Sequence, residues 1–108
     1  MQIIKDESAY DDLQRYLVHV IASDVRDCLR EAAANGASLE DAVSAITLGV
    51  STIIDGSRDM RHDNEQVVPV LMFGVMDEDD AVEGAITNGE SSSMHEYAVA
   101  AAAEAVKA

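Results

Sequence analysis

Apolar positions recur every three to four residues through the first half of the chain and then change character. Tyr10, Leu13, Leu17, Val20, Ile21, Cys28 and Ala32 fall on one face at about 100° per residue, which predicts a long amphipathic helix. Ser8 is its expected cap, with Asp11 and Asp12 in the first turn, where carboxylates favour the positive end of the dipole. Asn35-Gly36 marks its end, since glycine suits a left-handed C-cap. Ser38, with Asp41 three residues on, reads as the start of a second helix striped by Leu39, Val43, Ile46, Val50 and Ile53. The β-branched run over 50–54 also suits a strand, but the period favours helix as far as Asp55-Gly56. The short link between the two predicts a helical hairpin.

The second half lacks that period. Residues 56–66 are polar and read as an exposed connection, followed by the nearly unbroken apolar run 67–76. Periodicity cannot separate a buried strand from a buried helix in such a run, and Pro69 suits the first turn of a helix or an edge strand. A helix from Pro69 is expected. Asp77-Glu78-Asp79-Asp80 then caps a short helix through Ile86, which Asn88-Gly89 ends, and Glu90 to Ser93 forms a linker. Ser93 with Glu96 makes a second capping box, opening a final Ala-rich helix. The expected architecture is mainly α: a small single-domain helical bundle spanning residues 1–108, built on the N-terminal helical hairpin. The alternative is α+β, with one short hairpin or edge strand near 67–76.

Composition narrows the core. One hundred and eight residues support a single core, and 48% hydrophobic content excludes general disorder. Aromatics are few (Tyr10, Tyr16, Phe73, Tyr97, no Trp), so Val, Ile, Leu, Met and Ala must fill that core. The lone Cys28 excludes an internal disulfide and a Cys-based zinc cluster, and reads as a buried structural thiol. The start lacks the basic and apolar regions of a signal peptide, and no stretch approaches a membrane span, so a cytoplasmic location is expected.

Charge changes the picture most. The chain carries 21 acids and 7 bases, a net −14. Residues 1–61 carry a balance of −5, and 62–108, with Lys107 alone among bases, −9. Direct binding to nucleic acid or to an anionic membrane is disfavoured, because phosphates are held by Lys and Arg. A basic protein surface or another copy of the chain is the expected partner. Such acidity also accompanies adaptation to high salt.

Candidate chemistry is sparse. Asp24 falls between Leu17, Val20 and Cys28 on the apolar face of the first helix, where a carboxylate needs a cation, a donor or a proton unless that face is open to water. Asp55, Asp59, His62 and Asp63, with Glu65 nearby, form a weak metal-like cluster suited to Mg²⁺, Mn²⁺ or iron if the second helix continued through Gly56. Arg58 and Arg61 would neutralise the same acids without a metal. His95-Glu96 begins a zinc-protease motif that Val99 breaks, leaving His95 a surface residue. No Ser/His/Asp arrangement can be assembled from sequence and no cofactor is implied. Met72, Phe73, Val75 and Met76 read either as ordinary core or as an adaptable interaction surface, bordered by the acids Asp77, Asp79 and Asp80. The function expected is a small acidic protein-binding or regulatory module that forms a homo-oligomer. The alternatives are a nucleic-acid-mimicking inhibitor of the phage type and a metal-assisted enzyme using the 55–65 cluster.

Overall fold

A computed structural model describes residues 2–88 and 92–108. The first helix, α1 (Glu7–Asn35), starts two residues earlier than Ser8 implies, because Asp6 is the cap and its Oδ1 accepts from the Ala9 N–H at 3.0 Å. Gly36 closes α1 in the left-handed conformation, and the Ala37 N–H returns to the Ala32 carbonyl. Ser38 caps α2 (Leu39–Ile54) by accepting from the Asp41 N–H at 3.1 Å. The two helices form the antiparallel hairpin that the period predicts. Cys28 lies against Ala45 and Asp24 against Gly49. With that register α2 ends beside the middle of α1, and the N-terminal half of α1 projects past it.

The helix stops at Asp55. Gly56 then takes a positive φ of 79°, and a Cβ there would lie 2.3 Å from a Val68 methyl, so both backbone and packing require glycine. The polar stretch read as a bare connection instead forms an antiparallel hairpin, β1 (Met60–His62) with β2 (Glu65–Val67). Asp63 and Asn64 both sit at positive φ, the signature of a two-residue type I′ turn, and Asn and Asp tolerate that region best after glycine. Met60 is buried, and the His62 ring lies 5.1 Å from that of Tyr16 on α1.

Residues 67–76 do not form a helix from Pro69, and no helix runs to Ile86. The chain extends into β3 (Phe73–Met76), paired antiparallel with β4 (Val82–Ile86), and a bulge between Val75 and Met76 leaves Glu83 unmatched. A helix from Pro69 would have held Gly74 in its interior, whereas the β-branched Val75, Val82 and Ile86 suit strands. The architecture is thus mixed: three helices with two small antiparallel hairpins, and no continuous sheet among the described residues. The expected helix end at Gly89 and the linker positions Glu90 and Ser91 lie outside the described residues. The last helix, α3 (His95–Lys107), packs on α2, burying Ala98 and Ala102. Its N-cap position is Met94, and the expected Ser93–Glu96 box is replaced by a backbone bond from the Glu96 N–H to the Ser93 carbonyl.

The core is slight. Among the described residues the buried apolar side chains are Ile53, Met60, Ala98 and Ala102, and α1 has none. The β3–β4 hairpin stands away as an arm that packs chiefly on itself. The radius of gyration is 16.4 Å, against about 13 Å for a compact chain of this length.

Candidate functional site

Two places gather the residues that sequence singles out: a polar junction where α2 ends, and the arm with the groove at its root.

Asp55 is the centre of the junction, and its carboxylate is wholly buried. Oδ1 accepts from the Ser57 N–H at 3.0 Å, while Oδ2 accepts from the His95 N–H at 2.9 Å and from His95 Nδ1 at 2.5 Å. The side chain that ends α2 therefore serves as the N-terminal acceptor of α3, a role that sequence assigned to Ser93. Burial raises the carboxyl pKa, but the His95 and Ser57 donors outweigh it and hold Asp55 well below the ordinary carboxylate range. An ionised carboxylate only accepts, so Nδ1 of His95 carries the proton.

The Ser57 hydroxyl lies 3.2 Å from that same Nδ1. Serine, histidine and aspartate thus meet, although no sequence spacing announced it. The arrangement does not activate the serine. A nucleophilic relay needs the hydroxyl and the carboxylate on opposite ring nitrogens, and here both address Nδ1. Its chemistry is that of a helix cap and a clamp between α2 and α3.

Asp24 lies one layer away, its side chain 12% exposed, and Arg58 Nη2 meets its Oδ1 at 2.7 Å. Arg58 comes from the turn after α2, 34 residues on, which no local pattern could reveal. A Cβ on Gly49 would come within 2.2 Å of the Asp24 carboxylate, so glycine leaves the room that this ion pair occupies. Cys28 is half-buried beside the pair. Burial, together with the negative charge and hydrogen bond of Asp24, pushes its thiol pKa up, which disfavours the thiolate that a nucleophile needs.

The metal-like set is not brought together. Asp55 faces His95, Asp59 faces Arg61 at 3.7 Å, and His62 approaches Asp63 at 3.6 Å within the β1–β2 turn. The continuation of α2 through Gly56 that would have aligned these residues does not occur. Among the described residues, no three His, Cys, Asp or Glu side chains converge on one point.

The arm collects the predicted interaction residues. Phe73, Val75 and Met76 lie on β3, with Met72 just before it, and all are exposed, Phe73 by 63%. The partner strand adds Val82 and Ile86, exposed by 64% and 63%, which sequence reasoning placed on a helix. The turn-forming acids between two apolar runs were the available hairpin signal. Asp77 shapes the tip: its Oδ1 accepts from the N–H groups of Asp79 at 2.8 Å and Ala81 at 3.0 Å. Asp79 and Asp80 are exposed there, and Asp80 sits at positive φ. At the root of the arm lies a groove of about 390 Å³ between the projecting half of α1 and residues 67–70, lined by Tyr10, Leu13, Leu17, Met60, Val67 and Val68 among others.

Among the described residues, no helix is long and apolar enough to cross a membrane. No family model matches the sequence, and no curated protein or solved structure matches it either.

Proposed function

We propose that the protein is a protein-interaction module that works as a homo-oligomer, meeting other chains through the β3–β4 arm and the groove beside it. The observation that carries this reading is area. The chain exposes 8178 Å², whereas a compact monomer of 11.5 kDa exposes about 5,800 Å². The excess, roughly 2,400 Å², is well above the ~800 Å² that each partner gives to a standard interface. Helix α1, with every apolar residue at best half-buried, is the part whose packing another chain completes.

The tip acids Asp77, Glu78, Asp79 and Asp80, with Glu83 on β4 beside them, suit a basic protein surface as a second, heterotypic partner. Salt separates the two contacts. Self-association brings together two chains of net charge −14 and strengthens as salt screens them, whereas attraction to a basic partner weakens. Sedimentation equilibrium from low to high micromolar concentration, at 50 mM and 500 mM salt, tests the proposal. A reversible oligomer favoured by salt is expected, and a monomer at every concentration and salt refutes it.

A further inference from the structure

The arm is apolar on both faces. Phe73 pairs with Ile86 and Val75 with Gly84, which puts Phe73, Val75 and Ile86 on one side. Met76 pairs with Val82 on the other, where a Cβ on Gly74 would lie 3.3 Å from Val82. Glu83 is the one charged residue of the two strands, and it falls at the bulge. A surface hairpin alternates apolar and polar faces, whereas apolar character on both sides belongs to strands covered on both sides. Yet every residue of both strands is exposed, and a lone two-stranded hairpin is marginal in water.

We infer that β3–β4 is an exchange arm: one apolar face enters the groove between α1 and residues 67–70 of a second copy, whose own arm enters the groove of the first. This rests on the reading of the protein as a self-associating module and names the contact that module uses. The groove is the right seat for an acidic chain, because no charged side chain lines it. The arm is about 15 Å long, and its tip acids lie beyond the strands, where they stay in water at the rim. A twofold axis between the crossing arms lets their outer faces cover each other. The excess exposed area matches an exchanged, obligate interface better than a simple side-by-side contact.

Two variants separate the halves of the contact. Phe73→Ser/Ile86→Ser spoils the arm and Tyr10→Glu/Val68→Glu spoils the seat, all four positions being exposed. Each variant alone should dissociate at least tenfold more readily than the unaltered chain, with its helical circular dichroism retained. Mixed, they should recover a heterodimer, because one intact arm then meets one intact seat. A wild-type dimer whose arm variant dimerises unchanged overturns arm exchange and leaves self-association standing. A wild-type monomer at all concentrations overturns both. Two monomeric variants that do not complement refute the pairing of arm with groove. Should either variant unfold, a Cys28→Ser chain carrying Tyr10→Cys and Phe73→Cys decides the matter with a short bismaleimide. Cross-links between chains support exchange, and cross-links confined within one chain show the arm folded onto its own groove and refute it.

Discussion

Replacing Asp55 by alanine should cost more than any other single polar change in the helical body. The side chain is fully buried and accepts from two backbone N–H groups and one imidazole N–H. A buried donor left without its acceptor costs about 1–3 kcal/mol, and hydrogen bonds to charged acceptors lie toward the upper end. Ser57 is exposed and His95 partly so, and water can therefore reach both released N–H groups and hold each penalty near its minimum. The Ser57 N–H, the His95 N–H that caps α3 and the His95 imidazole N–H, at about 1 kcal/mol each, give about 3 kcal/mol. That is a large share of the ~5–15 kcal/mol by which a domain is stable.

Urea unfolding followed by far-ultraviolet circular dichroism, at one fixed protomer concentration, measures the loss. A pH series adds a sign. The Asp55 pKa is depressed on folding, so its contribution is complete above the unfolded value of ~3.9 and is lost as pH falls toward the lower folded value. The gap between the wild-type chain and Asp55→Asn should therefore narrow as pH falls below about pH 4. An Asp55→Ala loss under about 0.5 kcal/mol, or a gap that widens in acid, would show that the carboxylate does not clamp α3.

Three further outcomes follow from the geometry. Gly49→Ala should destabilise, by ~1–3 kcal/mol, although alanine is the better helix former, because its methyl meets a carboxylate held by Arg58; combining it with Asp24→Ala should recover much of that loss in the same unfolding assay. Cys28 should react with iodoacetamide at pH 7.5 several-fold more slowly than it does in the urea-unfolded chain, and stopped-time mass spectrometry that finds equal rates would contradict the raised thiol pKa. In the arm, Asp77→Ala should speed amide exchange at Asp79 and Ala81, read by nuclear magnetic resonance, while Asp77→Asn keeps the acceptor and most of the protection.

What the sequence by itself determined is local. The length and direction of α1 and α2, the Gly36 and Ser38 caps between them and the stop at Asp55-Gly56 follow from a 3.6-residue period and from capping chemistry, whose partners lie within five residues. Even there Asp6 displaced Ser8, because two cap formers two positions apart compete and only the path of the chain chooses. The strands were not legible in that way. An apolar run such as 67–76 becomes a strand only if a partner lies beside it, and its partner 82–86 follows a turn of four acids that reads equally well as a helix cap. The pairs that organise the polar junction are more distant still. Asp24 meets Arg58 across 34 residues and Asp55 meets His95 across 40, contacts that exist only once α2 has packed between its neighbours. A residue's chemistry can be read from its type, but its partner is set by tertiary packing, and that packing turned a supposed surface histidine and a supposed metal ligand into the clamp that holds α3.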